Sequence, residues 1–236
     1  MEKTLNQLVE RLRQAYSDRL VSVVLYGSAA GGDHNPKYSD VNILCVLSAI
    51  TPRELERGED IFRWWREQGS PSPLLLTESE VTTSTDCFAI EFLDIQQQHR
   101  LLYGKDVISG LRVDRSFYRA QVEHELRAKL LRLRQKASGM LSDADLLRRL
   151  LVDSVSTFCV LFRHALALHN VHAPARKREV LARAREHFGI DTAPFEKLLA
   201  IREDHVNPRA VKPNDLLAGY LEAVGQVIEA VDRLEK

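Results

Sequence analysis

The residues best suited to chemistry lie in a segment of small residues that follows an apolar run. The run Leu20–Tyr26 is followed at once by Gly27 and Ser28, with Gly31 a few positions on. Glycine lets a ligand approach the backbone closely, and a serine hydroxyl donates a hydrogen bond. If a helical turn begins behind Ser28, its unpaired N–H groups favour phosphate. The segment predicts a phosphate-binding loop, and an ordinary strand-to-helix turn is the alternative.

Two oxygen-bearing side chains follow on the far side of this loop. Asp40 and Asn42 lie two residues apart, where a second apolar run begins. On a strand, side chains with this spacing point to the same face. Two oxygen ligands at the edge of a phosphate loop suit Mg²⁺. An Asx turn at Asp40 and a plain polar strand residue at Asn42 are the alternatives.

Together these segments resemble the signature of the DNA polymerase β-like nucleotidyltransferase superfamily, in which an apolar strand, Gly-Ser and a further glycine precede Asp-x-Asp. Gly27, Ser28 and Gly31 match that signature, and Asp40, with Ser39 before it, takes the place of the first aspartate. The resemblance implies Mg²⁺-dependent transfer of a nucleoside monophosphate from an NTP to an acceptor hydroxyl. It implies Gly27 and Ser28 as nucleotide-binding residues and Asp40 as a catalytic metal ligand.

The sequence departs from the signature at Asn42, where the resemblance calls for the second aspartate. A neutral amide offers one carbonyl oxygen and cannot bridge two cations as a carboxylate does. A unit charge about 4 Å away is worth about 4 kcal/mol at an effective dielectric of about 20. We therefore expect Asn42 to be a weak metal ligand and the activity to be reduced or absent. A non-catalytic nucleotide-binding or antitoxin-like interaction module is the alternative.

The resemblance also implies a third carboxylate from a later strand. Residues 87–95 (CFAIEFLDI) are predicted to form that strand, and they contain Glu91 and Asp94. Opposite parity lets only one of the two face the site. We expect Glu91, as metal ligand or as base on the acceptor hydroxyl, because a charge among apolar residues needs a partner. A salt bridge to the helical domain is the alternative, and Asp94 with Gln97 is predicted to cap the next helix.

Hydrophobic periodicity predicts helices and strands in alternation up to residue 104 and helices alone beyond it. The predicted elements of the first part are helices over 2–18, 52–69 and 96–103 and strands over 20–26, 41–47, 73–77 and 87–95. In the second part, helices are predicted over 114–138, 143–171, 174–188 and 214–235, the second of them capped by Ser142 or Asp143.

Pattern and resemblance together predict an α+β protein. A nucleotidyltransferase-type α/β domain with a mixed sheet is expected over 1–110, and an all-α helical bundle domain over 111–236. The charge changes at the same point. The first part has 11 basic and 16 acidic residues, a net charge of −5, and the second has 22 and 17, a net charge of +5. An acidic metal-binding half and a basic phosphate-attracting half would give this split, and so would simple docking of two domains.

Composition excludes several classes of protein. The chain has 236 residues, of which 44% are apolar and 28% charged, and no net charge. These are globular values, unlike those of a disordered chain. No apolar run approaches the roughly 18 residues of a membrane span, and no signal peptide is visible, so a cytoplasmic protein without a membrane partner is expected. Its three cysteines form no CxxC pair and are predicted to be buried, reduced thiols.

Two Arg–His spacings suggest a different function. The pairs Arg119/His124 and Arg163/His169 fit the loose Arg-x4–6-His spacing of HEPN ribonucleases. Such pairs arise easily by chance in a chain rich in arginine, and a histidine on an apolar helix is usually a core residue.

The nucleotidyltransferase resemblance implies two partners, a nucleotide and an unidentified small-molecule or protein acceptor. The resemblance is also compatible with a homodimer.

Overall fold

The computed structural model describes residues 1–31, 38, 40–172 and 174–234. Within it the chain divides into two compact units, Met1–Phe117 and Tyr118–Lys236. The predicted loop residues Gly32 and Ser39 lie outside the described residues, and so does position 235, with which the last predicted helix ends.

A four-stranded mixed sheet forms the centre of the first unit, as predicted. Its strands are β1 (Leu20–Tyr26), β2 (Asn42–Leu47), β3 (Leu74–Thr77) and β4 (His99–Gly104), in the order β3-β2-β1-β4. β1 pairs antiparallel with β2 and with β4, and β2 pairs parallel with β3. The predictions for the first three strands are confirmed because each is a short apolar run bounded by turn residues or proline.

Helices cover both faces of this sheet. They are α1 (Glu2–Tyr16), the single turn α2 (Ser28–Gly31), α3 (Pro52–Glu67), α4 (Glu78–Thr83) and α5 (Ala89–Gln97). One face of the sheet packs against α1 and α3, where Leu8 and Trp65 are fully buried. The other face packs against α4 and α5, where Val81, Phe92 and Ile95 are buried with Val24 and Leu44. Alternate residues of β1 and β2 therefore serve two separate cores.

The predicted strand over 87–95 and the predicted short helix after it are both wrong. Residues 89–97 form the helix α5, and residues 99–104 form the edge strand β4. Ala89, Phe92 and Ile95 recur at every third residue, and burying that helical face against the sheet outweighs the strand propensity of the segment. Asp94 accordingly lies inside α5 rather than at its start, so the predicted capping box does not exist.

Among its described residues, the second unit contains helices joined by loops and no strand. Its helices are α6 (Tyr118–Ala137), α7 (Ala144–Leu168), α8 (Lys177–Phe188), α9 (Ala193–Arg202) and α10 (Pro213–Asp232). The cap predicted for α7 is present, because Asp143 accepts hydrogen bonds from the N–H groups of Asp145 and Leu146 at 3.0 Å each. α9 was not predicted from the sequence, because its apolar residues do not form a single stripe along one face of the helix.

The long helix α7 is the core of this unit. Its Phe162 packs against Phe195 of α9, and its Phe158 packs against Tyr220 of α10. Phe195 in turn stacks on Tyr220 with 4.2 Å between ring centroids. By length and composition α7 could cross a membrane, but 61% of its most apolar window is buried inside the structure, as it is in an ordinary core helix.

The three cysteines are free thiols. Cys45 and Cys159 are buried as predicted, and burial raises the pKa of each to about 12. Cys87 is exposed, which contradicts the prediction for that residue, because the segment around it precedes a helix rather than forming a buried strand.

Candidate functional site

The predicted phosphate loop, residues 27–31, follows β1 directly. Gly27 has φ +76°, a left-handed conformation that favours glycine. Its carbonyl accepts hydrogen bonds from the N–H groups of Ala30 at 2.9 Å and Gly31 at 3.1 Å, which closes the turn α2. The strand therefore ends in a tight reversal that turns the backbone back over the sheet edge.

The hydrogen bonds of the loop determine which N–H groups remain for a ligand. The N–H groups of Gly27, Ala30 and Gly31 are engaged in backbone bonds. Those of Ser28 and Ala29 make no backbone bond to any described residue. Because α2 is a single turn, it offers individual donors rather than the dipole of a long helix. The Ser28 hydroxyl, half-buried, adds one side-chain donor.

Asn42 lies against this loop. It is the first residue of β2, and its Cα pairs with that of Tyr26, the last residue of β1. A β-carbon placed on Gly27 would lie 3.4 Å from Nδ2 of Asn42. By strand alternation, the Asn42 side chain points to the sheet face that α5 covers. Position 42 is thus adjacent to the loop, and its role as a metal ligand stays a prediction.

Asp40 occupies a different position from the one predicted. β2 begins at Asn42, so Asp40 precedes the strand, and strand alternation does not fix the direction of its side chain. Asp40 is exposed. An exposed carboxylate two residues from Asn42 remains available to a cation that approaches the loop from solvent.

Glu91 is not the buried mid-strand charge that was expected. It lies in the first turn of α5 and is exposed. Burial, and after it the nearby Glu91 carboxylate, raises the pKa of Tyr26. Since Tyr26 immediately precedes Gly27, α5 brings Glu91 to the same end of the sheet as the loop. Glu91 therefore lies on a helix rather than on the predicted strand, and its role as metal ligand or base stays a prediction.

Among the described residues, neither of the two later strands supplies a third carboxylate. Neither β3 (LLLT) nor β4 (HRLLYG) contains aspartate or glutamate. The parallel pairing of β3 with β2 begins at Leu74, opposite Leu44.

The donor set decides which kind of metal site is reasonable. Among the described residues, no group of three or more His, Cys, Asp or Glu side chains could hold a metal ion. Asp40 and the carbonyl oxygen of Asn42 are hard oxygen donors, and Mg²⁺ is commonly held by one or two such ligands together with substrate phosphates. The residues therefore fit one magnesium ion that arrives with a nucleotide, and they do not fit a carboxylate-bridged pair of ions.

Another residue at the loop has no signal in the sequence. Gln98, between α5 and β4, accepts a hydrogen bond at 2.9 Å from the N–H of Gly27. Its side chain packs on Gly31, where an added β-carbon would lie only 2.1 Å from Nε2 of Gln98. Gln98 is one of three consecutive glutamines, and composition alone does not distinguish it from its neighbours.

The residues of the two predicted Arg–His pairs lie in the second unit. Arg119 forms an ion pair with Glu123 at 2.8 Å. Arg163 is buried and His169 is half-buried. The His169 ring packs edge-on against His187 with 4.9 Å between centroids, and burial followed by the charge of His187 lowers the pKa of His169. This geometry gives the ribonuclease alternative no support.

Comparisons with known proteins bear on the family and on the fold of this chain. The family model described as a nucleotidyltransferase domain matches residues 5–136, more than half of the chain. A similar solved structure is the crystal structure of spectinomycin adenyltransferase AAD(9) from Enterococcus faecialis with ATP and spectinomycin. The TM-score is 0.63 at 14% sequence identity, over 99% of this chain and 100% of that one, a likeness that shows the fold alone. No curated protein matches the sequence.

Proposed function

We propose, since this chain belongs to the nucleotidyltransferase domain family, that it binds a nucleoside triphosphate at loop 27–31 and transfers the nucleoside monophosphate slowly. The loop supports this role because Gly27 turns the backbone and Ser28 presents a hydroxyl and an N–H group. A triphosphate bound there would meet neutral hydrogen-bond donors first, and a cation would have to neutralise most of its charge.

In the proposed reaction, an acceptor hydroxyl oxygen attacks the α-phosphorus. A new P–O bond forms, the bond to the bridging oxygen breaks, and pyrophosphate leaves with that electron pair. Asp40 and the Asn42 carbonyl would hold Mg²⁺, which neutralises phosphate charge when it is bound. Glu91, exposed at the same end of the sheet, is proposed to accept the proton of the attacking hydroxyl.

We expect a low transfer rate because carboxylates of the family pattern are missing around the loop. Asn42 stands beside Gly27 where the family pattern has an acid, and neither later strand carries one. A single lost charge near the reacting phosphate is worth about 2–4 kcal/mol in this setting. That corresponds to about 30- to 1,000-fold in rate, because each 1.4 kcal/mol is about tenfold.

The acceptor is proposed to be a hydroxylated small molecule. The similar crystal structure contains ATP and spectinomycin, so spectinomycin is the first acceptor to test, followed by other hydroxylated compounds and by whole-cell protein. The buried free thiols Cys45 and Cys159 suit a reducing compartment, which supports a cytoplasmic site of action.

Nucleotide binding is tested first by calorimetric titration with each Mg–NTP. We expect saturable binding that requires Mg²⁺, and a higher Mg²⁺ concentration needed for binding in Asp40→Asn, because that variant loses a carboxylate ligand. The matched control is Asp60→Asn, since the Asp60 side chain on α3 is 91% exposed and lies away from the loop sequence. An Asp40→Asn variant that keeps the wild-type Mg²⁺ dependence would remove Asp40 from the proposed site.

The missing carboxylates also favour a second candidate function, a non-catalytic nucleotide-binding or interaction module. The two functions differ in label transfer from α-labelled NTP to the acceptor panel. Slow Mg²⁺-dependent transfer supports the enzyme. Tight NTP binding without transfer, in wild type and in Asn42→Asp alike, would support the module instead.

A further inference from the structure

Gln98 contacts both ends of loop 27–31. It lies between Gln97, the last residue of α5, and His99, the first residue of β4, and its side chain is half-buried. One residue therefore joins three features: the helix that carries Glu91, the edge strand of the sheet, and the loop proposed to bind phosphate.

The backbone of Gln98 holds the first residue of the loop. The N–H of Gly27 donates to the Gln98 carbonyl at 2.9 Å. This bond continues the β1–β4 ladder one step beyond the pair Tyr26–His99. It keeps Gly27 in register with β4 at the point where its φ of +76° reverses the chain. Any residue at position 98 has a carbonyl oxygen that can accept this bond, so the bond does not depend on the glutamine side chain.

The side chain of Gln98 covers the last residue of the loop. A β-carbon at Gly31 would lie 2.1 Å from Nε2 and 2.5 Å from Cδ of Gln98. The amide group therefore packs directly against the Gly31 backbone and occupies the space of a side chain. Gly31 also donates its N–H to the Gly27 carbonyl at 3.1 Å, which closes the turn. The Gln98 side chain therefore packs on a closed turn, next to the start of β4.

We propose that Gln98 is a positioning residue that keeps loop 27–31 in its nucleotide-binding conformation through its side-chain contact with Gly31. The contact orders α2 and thereby directs the Ser28 and Ala29 N–H groups, which lack backbone partners among the described residues. The inference rests on the proposed function for its consequence, nucleotide affinity. The loop ordering itself does not depend on any ligand.

The contact predicts how the effects of two substitutions combine. Gln98→Ala removes the amide, and Gly31→Ala displaces it, because the far end of a glutamine side chain can swing away. Both variants lose the same contact. The double variant Gln98→Ala/Gly31→Ala should therefore be no worse than either single variant, the non-additivity expected of two residues in direct contact.

Two measurements on the full chain test this prediction. The first is hydrogen exchange of the Ala30 and Gly31 amides without nucleotide, which we expect to accelerate about tenfold in each variant as the turn opens. The second is calorimetric titration with Mg–ATP. If the ordered loop falls to about one tenth of the population, the apparent Kd rises about tenfold. Gln97→Ala, one position earlier and exposed, is the matched control and should change neither value by more than about twofold.

The outcomes separate the inference from the function on which it builds. Unchanged amide exchange in Gln98→Ala, or effects of the two substitutions that multiply in the double variant, would overturn the positioning role. Faster exchange with an unchanged Kd would overturn its link to the nucleotide. If wild type binds no nucleotide, the proposed function fails, and the exchange data still decide whether Gln98 orders the loop.

Discussion

Replacement of Gly27 by alanine should weaken both the fold and nucleotide binding, by an amount set by its backbone. At φ +76° an L-residue is strained, whereas the added β-carbon would meet its nearest neighbour, Nδ2 of Asn42, at 3.4 Å, an ordinary contact. The cost is therefore conformational, about 1–2 kcal/mol for a non-glycine residue in the left-handed region. If the loop instead relaxes away from this conformation, the same energy appears as about 5- to 30-fold weaker binding of Mg–ATP.

Gly69 provides a control with the same backbone strain in another place. Its φ is +82°, and an added β-carbon would meet nothing within 4 Å. Gly69→Ala should cost a similar 1–2 kcal/mol, approximately, in urea unfolding and leave the Kd for Mg–ATP unchanged. Gly110→Ala, which also meets nothing and whose φ is not in the left-handed region, should change neither quantity.

Urea unfolding followed by circular dichroism, together with calorimetric titration, measures both quantities for the three variants. The reasoning is refuted if Gly27→Ala matches Gly110→Ala in stability and in affinity, because the positive φ would then cost nothing. It is also refuted if Gly69→Ala weakens nucleotide binding as much as Gly27→Ala does.

Three further predictions concern the loop hydroxyl, the helical core and pH. Ser28→Ala should weaken Mg–ATP binding about 10- to 150-fold in a calorimetric titration, because one hydrogen bond to a charged group is worth about 1.5–3 kcal/mol, and it should leave the unfolding midpoint unchanged. Phe162→Ala empties a fully buried site between two aromatic rings and should cost about 3–5 kcal/mol in urea unfolding. Burial and then the charge of His187 lower the pKa of His169 below its usual 6.5. Neutral His169 therefore stabilises the fold fully above the pKa that it has in the unfolded chain, and this stability is lost as the pH falls through its pKa in the folded protein. Wild type should accordingly lose more stability than His169→Gln between pH 7.5 and pH 5.

The first half of the fold was predictable where local and long-range preferences agree. β1 and β2 are apolar runs bounded by turn residues, and the reversal at Gly27 requires a residue that tolerates positive φ. α3 begins with proline and a Thr51–Glu54 capping box, which is a strong helix start. These features follow from neighbours in the chain, so the sequence alone predicts the core strands and the loop between them.

Residues 87–104 were predicted in reverse because their pattern fits both periods. Nine residues that are mostly apolar suit a buried strand, yet the spacing of Ala89, Phe92 and Ile95 also suits one helical face. What decides is that β1 has a free edge, and residues 99–104 pair with it. The contact between Gln98 and Gly31 depends on that pairing and has no signature in the local sequence.

The central claim is that Asn42 stands in the metal site and holds the transfer rate down. Its most direct test is the rate of pyrophosphate release from Mg–ATP, with spectinomycin and the wider acceptor panel, for wild type and Asn42→Asp side by side. We predict that the restored carboxylate raises the rate about 30- to 1,000-fold, which corresponds to about 2–4 kcal/mol of transition-state stabilisation. A wild-type enzyme that is as fast as Asn42→Asp, or a faster one, would contradict the claim.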